Sequence, residues 1–304
     1  MNEIPTSTAA PLLEGSTAGF RLADLMELTK PRITFMVVLT TAVGFILPLQ
    51  GPLPLALFFH ALLATGLVAS GASVLNQVME RDTDARMRRT AQRPLPSGRM
   101  SPDAALAAGV ALSLGGVLYL AWAVNALTAL LGIAALVGYV FVYTPLKRIS
   151  SLSTIVGAVP GAIPPMMGWT ALRDAVEPGA WVLFGILFLW QLPHFLAIAW
   201  MCREDYARGG FPMLSVLDSD GGRTSRQAVL WAVALIPVSL LPTLLGLTGG
   251  VYFAGTLLAG LLFLASTFVF ASERSHQAAR RVLLVSVLYL PTILGVMLVD
   301  RVAG

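Results

Sequence analysis

Charge is what this sequence has least of. Only 12% of its 304 residues are Asp, Glu, Lys or Arg, against about 25% in a typical soluble domain. That scarcity argues against a water-exposed globule. There is a single cysteine, Cys202, which excludes an internal disulfide and a cysteine metal cluster and reads as an inert thiol at a membrane edge. The first 20 residues contain no Lys or Arg. A secretory signal needs a basic start and an apolar core, and a mitochondrial presequence is Arg-rich, so this segment reads as neither. The net charge of +4 is not a nucleic-acid signature, because the placement of the basic residues has a simpler source.

What is abundant is apolar length. Hydrophobic residues make up 56% of the chain and the mean hydropathy is +0.78. Repeated runs approach the ~20 residues that cross a bilayer as helix. The expectation is an all-α polytopic membrane protein with about nine spans, near 33–50, 54–78, 103–123, 125–143, 152–172, 180–201, 227–247, 250–271 and 282–300. Residues 1–25 read as a disordered cytoplasmic tail and 26–304 as one transmembrane domain, with 21–32 a short amphipathic lead-in that stops at Lys30-Pro31. Small residues such as Gly157 and Gly161, and the run 66–73, are packing signals for helices in lipid. On this layout 18 of the 20 basic residues fall on the N-terminal side, leaving Arg173 and Arg301 opposite. The positive-inside rule then places the N-terminus in the cytoplasm and the C-terminus outside.

The densest charged stretch, Asn76 to Arg99, follows directly on an apolar run. A basic loop at the end of a span is by default a solvated positive-inside loop. The order of residues argues for more. If the helix continues, Asn76, Glu80 and Asp84 recur every four residues and share one face. An amide and carboxylates are hard oxygen ligands suited to Mg²⁺, which commonly binds through one or two carboxylates plus substrate phosphate. Arginines beside them are natural phosphate partners. The stretch therefore points to a magnesium–diphosphate site at a membrane surface.

A second constellation lies four spans on. Trp190-Gln-Leu-Pro-His-Phe195 falls inside a span, and Arg203-Glu-Asp-Tyr-Ala-Arg-Gly-Gly210 follows its end. The layout echoes the first, suggesting a weak internal duplication in which each half contributes one acidic cluster to a shared cavity. Pro193 interrupts the helical ladder, which is tolerated where backbone lines a cavity. An intramembrane His194 is by default a packing residue, but its company makes it a candidate for a functional contact. His60 reads as structural and His276 as solvated. Between the two constellations, Lys147 and Arg148 are candidates for neutralising a leaving diphosphate.

Taken together, these stretches resemble the UbiA superfamily of membrane prenyltransferases, and within it the mitochondrial-type branch of the haem-farnesylating enzymes. Asn76, Glu80 and Asp84 match the first acidic motif, continued by Arg89-Thr90 and Arg93-Pro94. YTPLKRIS at 143–150, GAIPPMMGW at 161–169, WQLPHF at 190–195 and REDYARGG at 203–210 carry the rest. The similarity runs from about Thr29 to the last span. Two departures stand out: Glu80 in place of a more usual Asp, and Gly209 where a second Asp would follow Asp205.

The resemblance implies a helical bundle around a central cavity, and transfer of farnesyl from farnesyl diphosphate to a vinyl group of haem b with addition of water. It implies Mg²⁺ on Asn76, Glu80, Asp84 and Asp205, and diphosphate on Arg89, Arg93, Lys147 and Arg148. Asp84, Lys147, Arg148 and Asp205 are then the catalytic candidates, with His194 on the haem side. It implies a bacterial inner membrane, lipid surroundings, a haem A synthase as downstream partner, and no nucleic acid. Rival readings are a related prenyltransferase with a quinone or chlorin acceptor, and a non-catalytic haem-binding or transport protein.

Overall fold

The computed structural model describes residues 21–302, all of it helix and connecting turns apart from one isolated bridge between Thr248 and Arg301. A short helix α1 (Leu22–Leu28) precedes α2 (Pro31–Ile46) and α3 (Leu55–Asp84). There follow α4 (Pro102–Ala123), α5 (Ala126–Leu146), α6 (Ser153–Arg173) and α7 (Pro178–Met201). Two short helices, α8 (Arg203–Gly209) and α9 (Leu214–Leu217), lead to α10 (Gly222–Leu244), α11 (Gly250–Glu273) and α12 (His276–Val299). Eight helices are long and apolar enough to cross a membrane, and α2 is a shorter apolar helix. This is the expected set of about nine.

Helix boundaries differ from the sequence reading where polar residues extend a span. α3 has 30 residues and so reaches about 45 Å, well beyond a hydrocarbon core of about 30 Å. Its last turns stand at the membrane edge and keep Asn76, Glu80 and Asp84 on one buried face. The tail boundary drawn at residue 25 falls inside α1, where Asp24 is buried; residues 1–20 lie outside the described residues. α1 cannot continue into α2, because the ring of Pro31 disfavours right-handed helix at Lys30. Lys30 instead takes a left-handed conformation, φ 50° and ψ 63°, and caps α2.

Each helix packs on its sequence neighbours, and α6 sits at the centre against α2, α3, α5 and α7. α12 closes the bundle against α7 and α2. The close approach of α2 and α6 depends on two glycines. A Cβ on Gly168 would sit on the Thr41 carbonyl, and one on Gly44 on the Pro165 carbonyl. Backbone cannot give way as a flexible side chain can. Gly168→Val should therefore destabilise the bundle by about 3 kcal/mol, read as a lower midpoint of thermal unfolding in detergent. Gly157 and Gly161 do a different job: they make room for the Tyr143 ring and the Gln191 amide. Exposed Leu114, Leu118, Trp122, Leu130 and Phe141 give α4 and α5 a lipid-facing surface.

Candidate active site

A cavity of about 410 Å³ opens at the end of the bundle where α2 begins and α3 finishes. From α3 it receives Asn76, Gln77, Glu80 and Asp84; from the following loop Arg89 and Arg93; from α5 Tyr139, Tyr143 and Lys147 at its cap; and Lys30 from the α1–α2 corner. Phe195, Ile198 and Ala199 of α7, with Tyr206 and Met213, add mostly apolar side chains to the lining.

The charges are arranged as partners. Lys147 Nζ lies 2.7 Å from Glu80 Oε1, and both side chains are buried. Arg93 Nη1 donates to Asp84 Oδ2 at 2.7 Å. The Thr90 hydroxyl donates to the Asp84 carbonyl at 2.8 Å, folding the α3–α4 loop back over the helix end. The Asn76 amide donates to Thr144 Oγ1 at 3.0 Å, which leaves its oxygen toward Tyr139 and Lys30. The Arg89 guanidinium lies 5.0 Å from the centre of the Tyr206 ring and donates to its hydroxyl.

Lys30 was read from sequence only as part of the lead-in, yet it is a wall of the cavity. It has no carboxylate partner among the described residues; its Nζ reaches only the Asn76 oxygen, at 3.4 Å. Burial, with Arg93 nearby, lowers its pKa to about 8. A non-glycine residue held in the left-handed region is costly, and here the strain aims an ammonium into the site. Gln77 and Arg99 hold the corner: Gln77 donates to the Leu28 carbonyl at 2.7 Å, and Arg99 pairs with Asp24 and Glu27 of α1. The sequence signal for Lys30 was the Lys-Pro stop itself.

Three expected site residues need relocating. Asp205 does not line the cavity. Its carboxylate accepts from the Arg88 backbone N–H at 2.8 Å and pairs with Arg208. Desolvation opposes its ionisation, but those two donors win and lower its pKa. Asp205 thus ties the α7–α8 corner to the α3–α4 loop and does not face the carboxylates. Arg148 is exposed and donates to the Met79 carbonyl, while Lys147 beside it turns inward. His194 is part-buried at the α7–α12 contact, where it meets Ser286 and the Trp190 ring. The expected symmetry of two acidic clusters is therefore absent: the second half supplies Tyr206 and apolar wall. His60, by contrast, is structural as expected, bonded to the Tyr119 hydroxyl at 2.7 Å.

The residues present fit a divalent cation. Asp84 is 1% exposed, and its Oδ1 has no hydrogen-bond partner among the described residues. A buried carboxylate oxygen left without a donor is costly, and a hard cation relieves it. No cluster of three or more His, Cys, Asp or Glu suited to a metal occurs among the described residues. Glu80 and Asp84 with the Asn76 oxygen would offer the one-or-two-carboxylate pattern in which phosphate completes the shell of Mg²⁺.

Fold and cavity define a polytopic helical membrane protein with a cavity lined by buried carboxylates and cations at one end of its bundle. The chain belongs to the UbiA prenyltransferase family, whose pattern matches residues 37–290. It is 50% identical over 289 residues to the protoheme IX farnesyltransferase of Solibacter usitatus, covering 92% of this chain and 99% of that one. It is 46% identical over 279 residues to the protoheme IX farnesyltransferase of Salinibacter ruber, at 92% and 99% coverage. The fold matches that of a UbiA homologue from Archaeoglobus fulgidus bound to GPP and Mg²⁺, with a TM-score of 0.65, 16% identity, and 90% and 99% coverage.

Proposed function

We propose that this chain transfers the farnesyl group of farnesyl diphosphate to a vinyl group of haem b, with addition of water, giving haem O and diphosphate. The activity is the one named for its relatives at 45–50% identity. The observation that carries the mechanism is the buried Glu80–Asp84 pair, with one unpartnered carboxylate oxygen, inside a ring of four cations.

Asn76, Glu80 and Asp84 would hold Mg²⁺, which when bound supplies Lewis-acid polarisation of the diphosphate oxygens. Lys147 and Arg93 neutralise the carboxylates in the free protein. With a cation on those carboxylates, both become available to the diphosphate. Lys30 and Arg89, which have no carboxylate partner among the described residues, are positioned for it from the start. As the allylic C–O bond breaks, negative charge grows on the leaving group, and these four preorganised cations stabilise it. The Tyr139 and Tyr143 rings, stacked with centroids 5.4 Å apart, and Phe195 flank the allylic cation and keep bulk water from it until the vinyl carbon attacks. The basic loops around the cavity support, by the positive-inside rule, a cytoplasmic orientation of this end in a bacterial inner membrane, and a haem A synthase is the partner that would consume the product.

Membranes containing the protein should convert haem b and farnesyl diphosphate to a pigment heavier by one farnesyl and one hydroxyl group, resolved by chromatography and mass. Prenylation of a quinone precursor in place of haem would move the assignment to another acceptor. Lys30→Met should weaken farnesyl diphosphate binding about tenfold, in line with the loss of one charge-assisted contact, while leaving haem affinity unchanged. An unchanged diphosphate affinity would remove Lys30 from the site.

A further inference from the structure

α5 is wound differently at its cavity end. Gly138–Tyr143 form a π-helical segment, with Pro145 two residues beyond it. Proline has no N–H to give, and its ring crowds the carbonyl four residues back, here that of Phe141. The helix widens just before it, and the Thr144 N–H closes the wide turn onto the Tyr139 carbonyl, five residues back. The Thr144 hydroxyl donates to that same carbonyl at 2.9 Å. Thr144 is 1% exposed, and its oxygen also accepts an N–H of the Asn76 amide at 3.0 Å.

A primary amide has an acceptor end and a donor end. Its orientation decides whether Asn76, which lines the cavity, can meet a cation there. Two neighbours agree on that orientation. The Tyr139 carbonyl can only accept, so it draws the Thr144 proton and leaves a hydroxyl lone pair facing the Asn76 N–H. The Lys30 ammonium can only donate. It lies 3.4 Å from the other end of the amide, and a reversed Asn76 would set N–H against it. Asn76 Oδ1 is thus turned toward positive charge, on the same buried helical face as Glu80 and Asp84.

We propose that Thr144 is a positioning residue that fixes the Asn76 amide with its oxygen toward the cavity, as a ligand for a divalent cation. The proposal rests on the reading of Asn76, Glu80 and Asp84 as the cation site. A threonine serving its helix alone would have no need of a contact 68 residues away, since the backbone N–H already satisfies the Tyr139 carbonyl.

The test uses the full chain in lipid nanodiscs, titrated with Mn²⁺ in the presence of inorganic diphosphate and read by electron paramagnetic resonance. Thr144→Val keeps the branched shape and removes the hydroxyl, so nothing on α5 selects the amide's orientation. It should weaken Mn²⁺ binding 10- to 100-fold, as expected when a ligand loses its hydrogen-bond partner. Thr144→Ser, which keeps the hydroxyl, should stay within about threefold of wild type. In an Asn76→Asp background the carboxylate presents an oxygen whichever way it turns. Adding Thr144→Val there should change Mn²⁺ affinity by less than about threefold. The unfolding midpoint should shift equally for Thr144→Val in the two backgrounds, so that a packing defect cannot produce the difference in affinity. Wild-type affinity in Thr144→Val, or an equal loss in both backgrounds, would overturn the positioning role and leave Asn76 as a ligand. An unchanged Mn²⁺ affinity in Asn76→Ala would overturn the ligand reading itself.

Discussion

Asp84→Asn should lower farnesyl transfer by about 10³-fold, equivalent to about 4 kcal/mol of transition-state stabilisation. The substitution keeps volume and removes charge. In the native protein one oxygen of Asp84 accepts from Arg93 and the other has no partner among the described residues. Asparagine would offer an N–H on one side, which repels either the guanidinium or a cation. Measured with Mn²⁺ as a paramagnetic probe, metal binding in the presence of diphosphate should fall in parallel with the rate. Asp205→Asn, made beside it, should leave metal affinity within about threefold, because Asp205 faces the Arg88 N–H and Arg208 outside the cavity. An equal loss in both variants would return Asp205 to the metal site.

Lys147→Met should be the most damaging change to stability within the site. It strands Glu80, 3% exposed, without its ion-pair partner. Breaking a buried pair from one side costs about 3–5 kcal/mol, whereas replacing both charges by groups of similar shape is often close to neutral. Glu80→Gln combined with Lys147→Met should therefore recover most of the lost unfolding midpoint. Activity should not return in the double variant, since both the carboxylate and the ammonium are gone. Recovery of activity along with stability would mean that the pair serves the fold and not the reaction. The two readouts together separate those roles, which neither single variant can do.

How much of this was legible beforehand depends on the range of the interaction. The spans were readable because apolar length is a local property, and the small shifts at their ends came from polar residues that helices α3, α10 and α12 absorb. The Asn76–Glu80–Asp84 face was readable because four-residue spacing is itself the geometry of a helix. Lys147 was separable from Arg148 only in the fold. The two are adjacent, yet one is buried against Glu80, 67 residues away, and the other lies exposed on the Met79 carbonyl. The same holds for Asp205, whose partner Arg88 is 117 residues distant. Its motif suggested a ligand; its neighbours make it a clamp between loops.

Sequence alone therefore determined the membrane class, the helical segments, the carboxylate face and the identity of most cations near it. Helix periodicity and hydropathy are properties of consecutive residues, and composition fixes which groups can bear charge. Only the tertiary structure decided which charges face the cavity and which are tied elsewhere. It also decided that Lys30 turns inward at a strained corner and that His194 meets Ser286 across 92 residues. Side-chain direction at a helix end depends on which opposite charge or buried donor the packing brings within about 3 Å, and no reading along the chain contains that distance.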